Sequence, residues 1–239
     1  EIYTPDYTLS LHDALPIFIP HDKILYDQEP VRLFKSDLLE FLTHVTPQVV
    51  LIIWLPVVTA FAVAGALHWP TNVSPLWYPI AFMFGLTLLW TLMEYLLHRF
   101  VFHFKPRNRT QRQLVFLFHG VHHYQPHVKT RLVMPPAVSV PMACFFYGLF
   151  RLVLDDLLGM SYLVAPMIAG TILGYVSYDM IHYATHHLPM KGRVLKFLKR
   201  HHMEHHYKTP TARFGVSTNL WDEVFRTEPH ALARPSQAR

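Results

Sequence analysis

Thirteen of the eighteen histidines lie between residues 98 and 206. They are spaced as His98-x4-His103, His119-x2-His122-His123, His182-x3-His186-His187 and His202-x2-His205-His206, with His127 and His201 beside them. Imidazole is the commonest protein ligand for transition metals. On a helix His119, His122 and His123 fall at about 0°, 300° and 40°, so one turn presents three rings on one face. His202, His205 and His206 repeat this pattern, and His182 with His186 makes an i, i+4 pair. His98 and His103 are five apart, about 140° on an α-helix. They converge better if the helix ends near Phe102, ahead of Pro106, with His98 on its last turn and His103 just outside. The four clusters then supply ten nitrogens, five for each of two ions. Five donors leave a position open on a metal that prefers six, whereas a structural zinc site is closed by four ligands, often with cysteine. Cys144 is the single cysteine and lies in an apolar run, so thiolate sites and a disulfide framework are excluded. One such cluster alone is equally well read as a solvated polar patch; four at ligand spacing are not. His127, His187 and His201 exceed the count of ten, and His12, His21, His44, His68 and His230 are isolated polar residues.

The elements that must position these rings read as membrane helices. Only 15% of residues are charged and 51% are apolar, below the charge share of ordinary soluble domains. Apolar runs cover residues 48–67, 75–97, 135–150 and 161–181. The second and fourth, and marginally the first, reach the roughly 20 residues that cross a hydrocarbon core. The third is short unless it continues through Arg151, which would then snorkel to an interface. Pro56, Pro79, Pro141 and Pro166 fall within these runs, as membrane helices tolerate. Of the 21 Lys and Arg, three lie in residues 1–46, seven in 98–134 and ten from 182 onward, and the 68–74 loop has none. By the positive-inside rule this predicts two hairpins with both tails and the 98–134 loop in the cytoplasm. The fold expected is an all-α integral membrane protein of four transmembrane helices, with a cytoplasmic helical cap holding a histidine-rich di-metal site. The net charge of +5 suits tails facing anionic lipid, and nucleic acid is not implied. No cleavable signal peptide is expected. Residues 1–29 form an N-terminal segment whose Tyr7–Phe18 stretch reads unlike the rest and as non-native in part; residues 229–239 form a tail.

The segments between the clusters carry a further pattern: Glu94-Tyr-Leu-Leu-His98-Arg-Phe-Val-Phe-His103, Arg131-Leu-Val-Met-Pro-Pro-Ala137, Gly174-Tyr-Val-Ser-Tyr-Asp-Met-Ile-His182-Tyr and Phe214-Gly-Val-Ser-Thr-Asn-Leu-Trp-Asp-Glu-Val-Phe225. With the histidine boxes, these resemble the fatty acid hydroxylase superfamily of integral membrane oxygenases, over residues 30–228. The boxes alone also fit sterol desaturases and carotenoid hydroxylases. The Arg-Leu-Val-Met-Pro-Pro and Tyr-Asp-x-x-His-Tyr segments are more similar to the fatty acid 2-hydroxylases that act on sphingolipid acyl chains. A membrane metal-binding protein without catalysis is a third reading, weakened because the histidines gather at one surface rather than along a path through the bilayer.

The resemblance implies metal ligands His98, His103, His119, His122, His123, His182, His186, His202, His205 and His206. It also implies two iron ions, which zinc can replace in purified protein, and O2 as co-substrate. The sequence has no His-Pro-Gly-Gly haem motif, so a cytochrome b5 domain is not expected. Electrons are expected from a separate cytochrome b5 or ferredoxin-type protein. The membrane is then the endoplasmic reticulum in a eukaryote or the inner membrane in a bacterium. The substrate is a lipid acyl chain, hydroxylated at C2, with no separate protein nucleophile. Ligating histidines usually donate their far N–H to a carboxylate or carbonyl, so Glu94, Asp179, Glu204 and Asp222 are candidate partners, with His187 and His201 as outer partners or extra ligands. Glu94 and Asp179 are each the single acid of an apolar run, which calls for a reason. Tyr147, Tyr175, Tyr178, Trp221 and also Trp90 are candidates to line the substrate cavity, or equally to form an interfacial aromatic belt.

Overall fold

The computed structural model describes residues 24–229, so Tyr7–Phe18 and His12, His21 and His230 lie outside the described residues. Among the described residues all regular structure is helical, with no strand. A short α1 (Asp37–Leu42), N-capped by Ser36, precedes α2 (Pro47–Leu67). Next come α3 (Trp77–Phe102), α4 over residues 109–124, α5 (Pro136–Leu157) and α6 (Ser161–His187). They are followed by α7 (Arg193–Tyr207) and a short α8 (Leu220–Val224). Helices α2, α3, α5 and α6 are each long and apolar enough to cross a membrane. The third span does continue past Phe150: a π-helical segment, Arg151–Leu157, carries it on, and half-exposed Arg151 pairs with Asp155 at 2.9 Å. Pro56 and Pro141 lie inside helices, and Pro79 and Pro166 lie near helix N-termini.

Helix α6 is the axis of the bundle. Its apolar stretch is 67% buried inside the protein, against 22%, 33% and 11% for α2, α3 and α5, which are left to face lipid. Its residues Ile168, Ile172, Tyr175 and Val176 join Trp54 and Val58 of α2 and Trp90 of α3 in one core. Apolar residues surround α6 rather than forming a stripe, as expected of a helix packed on all sides. The α3–α6 crossing is close because α6 carries glycine there. A Cβ on Gly170 would lie 2.0 Å from the Phe82 carbonyl oxygen, and one on Gly174 would lie 2.5 Å from the Trp90 side chain. Trp54, Trp90 and Tyr175 lock the same level, the tyrosine edge-on to both indoles at centroid distances of 5.7 and 5.6 Å.

Two π-helical turns carry histidines. In α3 the turn His98–Phe102 closes with a bond from the His103 amide to the His98 carbonyl at 3.1 Å. An i→i+5 bond sets residues five apart over one another, so the spacing that looked poor on an α-helix becomes a facing pair. In α4 a second π turn, Phe116–Gly120, contains His119.

Gly174→Leu should force α3 and α6 apart and cost about 1–3 kcal/mol or more, lowering the thermal midpoint in detergent. Gly148→Leu, where a Cβ meets nothing within 4 Å, should leave the midpoint nearly unchanged. Equal shifts for the two would refute the close-packed seam.

Candidate metal centre

The histidine-bearing ends of α3, α4, α6 and α7 meet at one end of the bundle. There the rings fall into two groups of five: His98, His103, His119, His123 and His205, and His122, His182, His186, His202 and His206. Within each group one nitrogen per ring lies within 4.8 Å of all the others. The Nε2 atoms face inward: His119 to His98 and to His123 at 3.0 Å, and His205 to His103 at 3.1 Å and His123 at 3.2 Å. In the second group His122 lies 3.0 Å from both His206 and His182, and His186 lies 2.9 Å from His202. Consecutive residues serve opposite groups, His122 against His123 and His205 against His206. The rings of His123 and His206 stack across the divide at 4.0 Å.

The donor set suits a transition-metal ion. Five nitrogens pointed at one centre cannot all satisfy one another with protons, whereas two donors at right angles around an ion at about 2.1 Å lie about 3.0 Å apart. The rings are also in the ligating form. Burial, reinforced by the neighbouring imidazoles, pushes His119, His122, His123, His202 and His206 well below the usual histidine value. His205 is lowered to about 4, burial outweighing the hydrogen bond to the Ala212 carbonyl that would raise it.

The far edges of two rings in the first group are held by a loop, residues 212–217. His98 Nδ1 donates to the Phe214 carbonyl and His205 Nδ1 to the Ala212 carbonyl at 2.7 Å. The loop is tied down by two of the four acids that the sequence suggested as direct partners of the histidines. Buried Glu94 accepts from the Val216 and Ser217 amides at 2.6 and 2.8 Å. Asp222 accepts from the Phe214 and Gly215 amides, both at 2.8 Å, and from the Thr227 hydroxyl at 2.6 Å. Burial alone would raise the Asp222 carboxyl, but hydrogen bonds from His201, Thr227 and the two amides hold it below the usual range. Both acids therefore act on His98 and His205 through the loop backbone, while Asp222 also meets His201 directly. Gly215 has no room for a side chain, since a Cβ would lie 1.9 Å from the Thr218 carbonyl oxygen.

His201 stands outside both groups, with its ring nitrogens 3.3 Å from Asp222 and 3.3 Å from Glu228. His187 is also outside and packs on Tyr183 at 4.7 Å. Glu204 pairs with Arg213 at 3.1 Å and Lys208 at 3.3 Å. Asp179 receives the Met134 amide at 3.2 Å. Of the aromatic candidates, Tyr178 lines the cavity described next. Tyr175 and Trp90 belong to the helix core, Tyr147 packs on Phe61 at 5.5 Å, and the Trp221 indole N–H donates to Thr91 at 3.0 Å.

A cavity of about 250 Å³ opens beside the two groups. His119 of the first group and His122 and His182 of the second form its floor, and its walls are apolar residues such as Leu117, Val121, Val133 and Ala137. Leu39 and Leu42 of α1 cover it, with Arg131 at the edge. Arg131 is buried, pairs with Glu40 of α1 and contacts His44 at 3.0 Å. Burial lowers this guanidinium from its usual value, against the opposing pull of Glu40. Sequence reading passed over α1 and Arg131, although the Arg131–Ala137 segment had drawn notice as a pattern.

A bundle of four apolar spans capped by ten inward-facing imidazoles defines a membrane protein with a histidine-rich metal site. Comparison with known proteins agrees. Residues 82–227 match the family model described as fatty acid hydroxylase, and the chain belongs to that family. It is 37% identical over 227 residues to human fatty acid 2-hydroxylase, covering 84% of this chain and 58% of that protein. It is 35% identical over 236 residues to dihydroceramide fatty acyl 2-hydroxylase FAH2 of Arabidopsis thaliana, covering 93% of this chain and 94% of that one. The chain thus spans a little over half the length of the mammalian relatives it matches and nearly all of the plant one. The solved structure of full-length scs7p, of which only the hydroxylase domain is visible, superposes with a TM-score of 0.76. It is 38% identical and covers 87% of this chain and 75% of that one. The protein is an integral membrane protein whose histidine clusters fit a metal site.

The buried neutral histidines give the metal-free protein a defined pH dependence. Their folded values lie below the unfolded value of about 6.5, so protons bind the unfolded chain preferentially as pH falls through that value. Stability present at neutral pH should therefore drain away from pH 6.5 toward the His205 value of about 4. A thermal midpoint of chelator-treated protein that stayed level or rose from pH 6.5 to 5 would contradict this.

Proposed function

We propose that this chain is an O2-dependent fatty acid 2-hydroxylase, a monooxygenase acting on the acyl chain of a ceramide-type sphingolipid or of a free long-chain fatty acid. The single observation that carries this reading is the cavity: an apolar slot whose floor joins one histidine of the first group to two of the second. A lipid chain entering it brings a carbon near its polar end against both groups. The names of the human and plant relatives, fatty acid 2-hydroxylase and dihydroceramide fatty acyl 2-hydroxylase, support C2 as that carbon.

The ten histidines of the two groups are the proposed ligands, five to each ion, and residues 30–228 the catalytic unit. Two iron ions so held would supply the O2 chemistry; nitrogen ligands retain zinc over Fe(II), so purified protein is expected to contain zinc as well. The reaction replaces a C2 hydrogen with hydroxyl: one oxygen atom of O2 enters the C–H bond and the other leaves as water, consuming two electrons and two protons. An external protein of cytochrome b5 or ferredoxin type supplies the electrons. The chain's own side chains do the rest. The apolar walls exclude water and align the acyl chain. Tyr178 and Arg131 are polar groups at the cavity able to donate a hydrogen bond to a carbonyl head. The buried, uncharged imidazoles keep their nitrogen lone pairs free for metal. By charge distribution the metal site faces the cytoplasm, from the endoplasmic reticulum or the bacterial inner membrane.

Expression in cells supplying such a donor should raise 2-hydroxy acyl chains by lipid mass spectrometry. His122→Ala should abolish the increase. Ala137→Trp, which fills the cavity while sparing every histidine, should cut product at least about tenfold, the scale of a misplaced substrate. Unchanged 2-hydroxy lipids together with an altered sterol or carotenoid would overturn the assignment.

A further inference from the structure

We infer that the two histidine groups hold their ions unequally, the first tightly and the second loosely, and that Glu228 is a positioning residue for the first alone. The inference rests on the ten-ligand reading above. In the first group the far nitrogens of His98 and His205 are hydrogen-bonded to the Phe214 and Ala212 carbonyls. That fixes which nitrogen carries the proton, aims Nε2 at the centre and raises its basicity. In the second group the Nδ1 atoms of His182, His202 and His206 are buried with no hydrogen-bond partner among the described residues. When such a ring ligates through Nε2 it keeps a proton on Nδ1 for which the described residues offer no acceptor. That desolvated N–H costs free energy and leaves the ring angle to packing alone.

The asymmetry originates in the 212–217 loop, and a buried ionic chain stiffens that loop from behind. Arg213 sits between the two accepting carbonyls at φ 58°, a left-handed conformation that a non-glycine residue keeps only when held. Its side chain is held by Glu228 at 3.0 Å, Glu204 at 3.1 Å and the Thr209 hydroxyl at 2.6 Å, and its amide by the Thr227 carbonyl at 3.2 Å. The other oxygen of Glu228 lies 3.3 Å from His201, whose ring reaches Asp222 at 3.3 Å. Glu228 thus holds the residue between the two carbonyls through one oxygen, while the other lies beside the His201 ring that reaches Asp222, the acceptor of the Phe214 and Gly215 amides; Glu228 belongs to neither histidine group.

The test uses the full chain in detergent, loaded with two equivalents of Co2+ and then mixed with excess chelator, following cobalt absorbance and retained metal. Two phases of one equivalent each are expected, separated by about tenfold or more in rate. His206→Ala should remove the fast phase and His98→Ala the slow one. Glu228→Ala should accelerate only the slow phase, by about 10–100-fold, the usual effect of losing an outer partner. Glu228→Gln, which still offers Arg213 an amide oxygen, should fall between. A single phase releasing both equivalents, the opposite assignment of phases, or a Glu228→Ala effect confined to the fast phase overturns the inference while leaving the ten ligands intact. Fewer than two equivalents bound by the unmutated chain overturns both. If Glu228→Ala does not fold, the two histidine variants still decide which group is tight.

Discussion

Ten imidazole nitrogens face one another across about 3 Å, and the rest of the structure follows from what that arrangement requires. Lone pairs so close repel unless a cation sits among them. Protonated rings would repel still more strongly, so each ring must be desolvated and neutral. Desolvation is provided by sinking the cluster between four helix ends. Direction comes from elsewhere: a π-helical turn in α3 brings ligands into register, and a clamped loop supplies acceptors for the outer edges. The close crossing of α3 and α6 at Gly170 and Gly174 fixes the distance between the helices that carry His98 and His182. A change in any of these moves a ring by an amount that metal coordination does not tolerate.

Much of this was legible in the sequence because it depends on composition and period. The four spans appear as apolar runs, and the third reads correctly once Arg151 is treated as a residue that a membrane helix can carry to its end. The histidine clusters announce themselves by spacing, and the proline at 106 marks where α3 must stop. The five-residue separation of His98 and His103 was harder. It fits no face of an α-helix, and the sequence contains no signal for the π turn that reconciles it. The loop carbonyls of Ala212 and Phe214 were invisible for a different reason: any residue type offers a carbonyl, so only folding shows which one accepts a hydrogen bond.

The acids illustrate the same boundary. Glu94 stood out, with Asp179, as the single acid of an apolar run, and Glu94, like the candidate partner Asp222, acts on the 212–217 loop rather than on a ring of either histidine group. Glu94 takes two main-chain amides on one oxygen, and Asp222 takes two amides together with the Thr227 hydroxyl and His201, so that carbonyls meet the outer edges of His98 and His205. A direct carboxylate would place a negative charge against the ring and raise its proton affinity. Using a carbonyl keeps that charge at a distance while still fixing the ring. Tyr175 and Tyr178 are equally buried in the core of one helix, and they divide by position along it: Tyr178, one turn nearer the rings, also lines the cavity.

Adjacent residues in the chain are committed to opposite centres twice, at His122 with His123 and at His205 with His206. The spacing between the two centres is therefore gauged by covalent bonds, one peptide unit on each of two helices, rather than by the packing of separate subdomains. Loosening the bundle would disturb the entrance to the site before it altered that gauge. A sequence drifting under selection can vary the walls and the entrance, but it cannot slide one centre past the other without breaking both.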